Sequence, residues 1–269
     1  MIVPSYQRYD YLKLTLQSIL AQTYGHLELI VVSDGHDEKT KSVVQHLNDP
    51  RATYFAIEHQ GLPAPARNEG LRQCKADWIA FCDDDDLWHP EKLEMQLPIL
   101  KEGDYKLCVS DYQFIDSDGQ KIDLTNYFGS YYGRFSWQTF YQSMGFICNA
   151  SAVFSRQVFK DVGYLNEASE LRAHEDFEYW MRVLFQGDGY LMTDKLVSYR
   201  IHGGSIQRDK ASQVFKQRLN LLTSLNQSLP IPPSNYRRKL AKISVHFFLD
   251  QFPFLKSSVR KLQGKTQSV

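Results

Sequence analysis

The chain of 269 residues is 43% hydrophobic and 13% aromatic, enough apolar material for a packed core, which excludes a disordered polypeptide. Its 31 Lys and Arg balance 31 Asp and Glu, so no overall basic field marks it as a nucleic-acid binder. Cys74, Cys82, Cys108 and Cys148 form no CxxC pair, and no apolar run approaches the roughly 20 residues that span a bilayer, so a reducing cytoplasmic setting is expected, in solution or at the inner face of the membrane.

The first hundred residues alternate strand and helix. Ile2 and Val3 form a strand stub running into a turn at Pro4 and Ser5, after Met1 without any leader pattern. Asp10 is placed to cap a helix whose Leu12, Leu16, Ile19 and Leu20 share one face. The β-branched run 27–33 (LELIVVS) reads as a buried strand ending in Asp34-Gly35. Residues 39–47 read as helix, 53–57 as strand, 64–74 as helix and 78–82 (WIAFC) as a second buried strand. Pro90 opens a helix over 91–100, where its missing N–H costs nothing, and 107–110 is a further strand.

Strands alternating with helices predict right-handed crossovers and a mostly parallel sheet, with ligands bound beyond the carboxyl ends of the strands. Asp34 and the acidic run 83–86 both follow such strands, which makes them candidates for one site.

Beyond residue 110 the pattern loosens. Residues 111–145 read as loops and short strands whose Tyr112, Tyr127, Tyr131, Tyr132 and Trp137 either line a binding surface or simply pack. Segments 177–185, 211–226 and 236–262 read as helical, and Pro230-Ile231-Pro232-Pro233 as a stiff linker. Charge divides the chain as well: residues 207–269 hold twelve Lys and Arg against Asp209 and Asp250, balanced by an acidic excess in residues 1–206. Within 236–262, Arg237, Arg238, Lys239, Lys242, Lys256, Arg260 and Lys261 flank Ile243, Val245, Phe247, Phe248, Phe252 and Phe254. Two readings stand side by side: a peripheral contact with anionic membrane, or aromatics packed on the rest of the chain or on a second subunit. Pro253 interrupts any continuous helix there.

Two constellations carry chemistry. Asp83-Asp84-Asp85-Asp86-Leu87-Trp88 sets four carboxylates directly after a buried strand, where they repel unless a cation or solvent neutralises them. Alternating carboxylates present oxygen ligands to Mg²⁺ or Mn²⁺, with phosphates completing the shell. His174-Glu175-Asp176 opens a helix continued by Phe177, Trp180 and Leu184, and its acids are either dipole partners or a carboxylate aimed at the site as general base.

The ordered set Val3-Pro4-Ser5-Tyr6-Gln7-Arg8, Ser18 to Tyr24, Leu29 to Gly35, Ala66-Arg67-Asn68-Glu69-Gly70, Asp83 to Pro90, Glu175-Asp176 with Trp180 and Arg182, and Tyr199-Arg200-Ile201-His202 resembles family 2 glycosyltransferases over roughly 1–206. The resemblance implies the GT-A fold, a Rossmann-like α/β domain that binds a nucleoside-diphosphate sugar and Mn²⁺ or Mg²⁺. Residues 1–110 would bind the nucleotide sugar, 111–206 would face the acceptor, and 207–269 would be a basic helical extension. It further implies that Pro4, Ser5 and Tyr6 line the base pocket and that Asp34 accepts a uracil-type N3–H, favouring UDP or dTDP. Arg67 would lie on the base or diphosphate side with Asp83, and Asp84 would touch the ribose. Asp85, with the late His202, would meet the metal and diphosphate. Asp176 would be the base, supported by Glu175 and Trp180. The implied reaction is inverting transfer from a UDP-sugar to a hydroxyl of a carbohydrate or lipid-linked acceptor, by a monomer or a homo-oligomer. The chain departs from the family pattern in its short first strand and in Ser33-Asp34-Gly35-His36, where Asp-Asp-Gly-Ser is usual. A nucleotidyltransferase would need a basic, Gly-rich loop, and 4–10 has no glycine and only Arg8. A non-catalytic binding module would bind UDP without turning over UDP-sugar.

Overall fold

The computed structural model describes residues 1–124, 131–143, 147–203 and 211–251. Met1–Ser169 with Glu175–Ser205 makes one compact unit, and Glu170–His174 with Ile206–Val269 another.

In the first unit the chain runs β1 (Ile2–Ser5), α1 (Tyr9–Leu20), β2 (Leu29–Asp34), α2 (Glu38–Gln45), β3 (Ala52–Ile57), α3 (Pro63–Gln73) and β4 (Trp78–Ala80). It continues through β5 (Leu87–Trp88), α4 (Lys92–Glu102), β6 (Leu107–Ile115), β7 (Lys121–Ile122), β8 (Gly133–Phe135), α5 (Trp137–Ser143), β9 (Ala152–Ser155), α6 (Arg156–Val162), α7 (Glu175–Phe185) and β10 (Gly189–Arg200). The second unit holds α8 (Ala211–Ser228) and α9 (Pro233–Gln251).

β1, β2 and β3 pair in parallel, and every residue of β1 and β2 is buried, as continuous apolar strands require when helices cover both faces. A larger sheet has the order β4-β9-β6-β10-β5, in which β6 and β10 are parallel and the other neighbours antiparallel. Ile2 bridges Phe81, and the Cys82 amide donates to the Ile2 carbonyl at 3.1 Å, so the two sheets meet edge to edge. The result is an α/β, Rossmann-like mixed sheet flanked by helices, whose antiparallel part comes from the region where the hydrophobic pattern loosens.

Two local expectations change. Pro4 and Ser5 extend β1 in register with Val32 and Ser33 instead of forming a turn. The reversal comes at Gln7, held at φ 53, and Arg8 rather than Asp10 is the N-cap of α1, with no side chain capping it.

Among the described residues no helix is long and apolar enough to cross a membrane. Within the second unit Phe247 of α9 stacks on Phe215 of α8 at 4.3 Å, Ile243 is buried, and Lys239 is buried with its ammonium pushed down to about 7, chiefly by desolvation. Part of the apolar and basic face expected over 236–262 is thus consumed between two helices. Residues 252–262 lie outside the described residues, as does Tyr127.

The crossing of α3 over β1 depends on Gly70. A Cβ there would lie 2.3 Å from Ile2 Cγ2, which belongs to a fully buried, β-branched side chain with no room to turn. Gly70→Ala gains helix propensity but overpacks this contact, and a net loss of about 1 to 2 kcal/mol is expected as a lower urea midpoint at unchanged m.

Candidate functional site

The acidic turn follows β4, after the buried Phe81 and Cys82, and its carboxylates alternate in direction. Asp84 and Asp86 point inward at 4% and 0% exposure, while Asp83 and Asp85 keep access to solvent. Asp86 is framework: its Oδ1 accepts the Arg200 amide at 3.0 Å and its carbonyl accepts the Thr15 hydroxyl at 2.8 Å. Burial, then Asp85 and Asp83, push its carboxyl well above the usual range, against the pull of the Arg200 amide.

Asp84 accepts the Tyr6 amide on Oδ2 at 3.2 Å and Arg8 Nη1 on Oδ1 at 3.0 Å. Burial pushes its carboxyl up to about 7, against the pull of Arg8 and with a further push from Asp85. Asp85 offers one oxygen to two groups, since Oδ2 lies 2.6 Å from Arg8 Nη1 and 2.9 Å from His202 Nε2. Its carbonyl accepts Arg200 Nε at 2.9 Å, and Arg200 Nη1 reaches on to the carbonyls of Asp116 and Ser117. Tyr11 of α1 lies beneath both, its ring 4.7 Å from the Arg200 guanidinium and 5.2 Å from the His202 ring. Among the described residues no three His, Cys, Asp or Glu side chains form a ready-made metal cage.

A second acidic centre is tied to the first by one buried cation. Arg67 of α3 is 3% exposed and donates from Nη2 to Asp83 at 2.6 Å and from Nη1 to Glu175 at 3.0 Å. Burial opposes its charge, but Asp83 and Glu175 outweigh burial and hold the guanidinium above its ordinary value. Asp176, beside Glu175 in the first turn of α7, is pushed up to about 7, first by burial and then by Glu175, while Arg67 pulls the other way. Trp180 follows one turn later in the core, its indole N–H on Asn149 at 3.0 Å and its ring against Phe81 and Phe154. It stiffens α7 and does not face an open surface.

At the ends of β1 and β2, Tyr6 is 45% exposed and stacks on His59 with ring centroids 4.5 Å apart. Asp34 accepts the Gln60 amide at 2.7 Å and the Gly61 amide at 2.8 Å, one on each oxygen, and His59 Nδ1 lies 3.1 Å from its Oδ2. Asp34 therefore fixes the turn after β3 and retains lone pairs for a ligand. Pro4 is buried in β1, and Ser5 Oγ is buried without a partner at hydrogen-bonding distance among the described residues. His36 stands apart, on the surface, 3.2 Å from Glu58.

Arg8, Tyr11, His59 and Arg200 had no role assigned from the sequence, though all four enter the site. Arg8 and Arg200 sit inside motifs already singled out, and a count of cations against four adjacent carboxylates would have pointed to both.

Residues 1–163 match the family model for glycosyl transferase family 2. An uncharacterized glycosyltransferase of Rickettsia bellii is 30% identical over 187 residues, covering 68% of this chain, which spans only 26% of that relative. The UDP-Glc:alpha-D-GlcNAc-diphosphoundecaprenol beta-1,3-glucosyltransferase WfaP of Escherichia coli is 26% identical over 84% of this chain and 85% of its own length. Among solved structures, S. aureus TarS 1-349 in complex with UDP-GlcNAc superposes with a TM-score of 0.69 at 16% identity, over 93% of this chain and 72% of that one. The mannosyltransferase PcManGT of Pyrobaculum calidifontis, in complex with GDP-Man and Mn²⁺, gives 0.61 at 15% identity, over 100% and 74%. At these identities the two structures establish a shared fold.

Arg67 links the two acidic centres from a side chain that is 4% exposed. Arg67→Met strands Asp83 and Glu175 without their counter-charge, and a loss of about 3 to 5 kcal/mol in urea unfolding is expected at neutral pH. Lowering the pH should shrink that loss, because protonation then relieves the stranded acids.

Proposed function

The chain belongs to glycosyl transferase family 2, and on that premise we propose that it transfers a sugar, with inversion, from a UDP-sugar to a hydroxyl of a carbohydrate or lipid-linked acceptor. The observation that carries this reading is the Asp83–Arg67–Glu175 strut, which holds a carboxylate with a raised pKa, Asp176, beside the acidic turn. UDP is favoured by the E. coli relative, whose name specifies UDP-Glc, and by the UDP-GlcNAc complex of the S. aureus structure. The same relative's name specifies a diphosphoundecaprenol acceptor, which supports a lipid-linked saccharide and work at a membrane face.

The residues present fit a divalent ion. Asp85 Oδ2 and His202 Nε2 converge to 2.9 Å, a carboxylate oxygen and an imidazole nitrogen that together suit such an ion. Asp85 and His202 would hold Mn²⁺ or Mg²⁺, which when bound neutralises charge growing on the departing diphosphate.

The chain's own residues do the rest. The Tyr6 ring offers a face for the base, Asp34 an acceptor for a uracil N3–H, and Asp84 an acceptor for the ribose. Arg67 keeps Asp83 and Glu175 in place, so that Asp176 stays in register with the acidic turn. Asp176 takes the proton of the acceptor hydroxyl as that oxygen bonds to the anomeric carbon and the bond to the diphosphate breaks on the opposite face. A base with a pKa near neutrality is matched to that transfer.

Asp176→Asn keeps the shape of the side chain without its proton affinity. Transfer should fall by about 10² to 10⁴ with UDP binding nearly unchanged, while a parallel loss of UDP affinity would make Asp176 a donor-site residue. Because the base acts deprotonated and its folded pKa is raised to about 7, wild-type kcat should climb with pH below about 7 and level off above it. A kcat flat from pH 5 to 8 would exclude Asp176 as the base. Asp85→Asn should remove the Mn²⁺ dependence of UDP binding, read by calorimetry with and without the ion. Product analysis by NMR should show the inverted anomer.

A further inference from the structure

Three arginines reach the acidic turn, and the three are not equivalent. Arg67 serves Asp83 from a side chain 4% exposed, and Arg200, 2% exposed, binds the Asp85 carbonyl and presents its amide to Asp86. Both are fixed in the core, which leaves Asp84 and Asp85. Arg8 reaches both through Nη1, at 3.0 Å and 2.6 Å, from a side chain that is 31% exposed.

The Asp85 oxygen that Arg8 touches is also the one that faces His202, so it is the oxygen a metal ion would take. A divalent ion binds carboxylate oxygen at about 2.0 to 2.2 Å, and a guanidinium cannot remain on that oxygen beside a doubly charged ion. The placement of Arg8 is also held by the backbone: Gln7 has φ 53, a conformation uncommon for a residue with a Cβ, and the chain turns there from β1 into α1. Arg8 is then the N-cap of a twelve-residue helix whose first amides receive no side-chain cap, a place that favours an anion.

We propose that Arg8 is an internal counter-cation: it neutralises Asp84 and Asp85 until a divalent ion displaces it from Asp85, and the released guanidinium then engages the donor diphosphate. The inference rests on the reading of Asp85 and His202 as metal ligands. It makes metal binding without nucleotide weak, because the ion must compete with a tethered cation. It makes metal and donor mutually reinforcing, because each stabilises the arrangement that the other needs.

The test is titration of the full chain with Mn²⁺ by electron paramagnetic resonance at pH 8, with and without UDP. Arg8→Gln should bind Mn²⁺ at least about tenfold tighter than wild type without UDP, and the gain in Mn²⁺ affinity on adding UDP should be smaller than in wild type. Arg8→Lys, which restores the charge, should return Mn²⁺ affinity close to wild type. Asp85→Asn should bind the ion in neither condition. Equal or weaker Mn²⁺ binding by Arg8→Gln, with Asp85→Asn still losing the ion, would overturn the counter-cation role and leave the metal site standing. No Mn²⁺ binding by wild type even with UDP would overturn the metal reading and this inference together. Should Arg8→Gln fail to fold, the wild type decides: on Mg²⁺ titration the Arg8 guanidinium NMR resonances must lose their carboxylate-bound positions, and unmoved resonances at saturating Mg²⁺ would reject the proposal.

Discussion

The architecture of the site depends on one buried guanidinium. Arg67 joins Asp83, 16 positions along the chain, to Glu175, 108 positions along, from a side chain that is itself almost fully buried. Desolvating three charges is expensive, and the same volume filled with apolar side chains would often be as stable or more so. What apolar packing would not do is fix the distance between two acidic centres. The pair is directional, so α7 can approach the end of β4 in only one register. Asp176 inherits its position from that registration, because it is the next residue after Glu175.

The acidic turn shows how a local concentration of like charge is made tolerable without being abolished. Strand-like alternation sends two of four neighbouring carboxylates inward and two outward. One inward group is pushed toward its protonated form by burial, against the pull of the backbone amide it accepts, and the other is shared with Arg8 and the Tyr6 amide. One outward group belongs to Arg67. Asp85 faces both a histidine and a partly exposed cation. Repulsion between neighbours is therefore focused on the single position where a divalent ion would relieve it.

Much of the frame was legible because it follows from short-range rules. The run at 27–33 is continuous and β-branched, which fits only a strand buried on both faces, and β2 lies there. The helix periods at 9–20 and 175–185 bury the faces that their apolar spacing marks. β9 and β10 were not read in advance. β9 has four residues and follows a single 3-10 turn, and β10 carries two register shifts between Met192 and Val197 that break its period of two. The location of the acidic turn could be read off the sequence, but the division of labour within it could not. Arg67 lies 16 positions from Asp83, but Arg8, Arg200 and His202 lie 76 to 117 positions from their partners, and no local pattern encodes which carboxylate will face which arginine.

Asp84 and Asp176 share one thermodynamic property that connects stability to action. Each is pushed from 3.8 up to about 7 in the folded chain, chiefly by burial. Between those limits the folded state holds protons that the unfolded chain has released, so their contribution to stability is complete at low pH and is lost as pH rises through about 7. On the proposed reading Asp176 must be deprotonated to act as base, and Asp84 must be ionised to meet the ribose. The chemistry therefore belongs to the pH range in which the empty site is electrostatically least favourable. Ligands that bring positive charge or hydrogen-bond donors to these groups bind the ionised form best, and by linkage they restore what ionisation removes. A site assembled in this way is weakly stabilised when empty and firmly organised when loaded. That is the expected condition of a surface that must release one product and accept the next donor at every turnover.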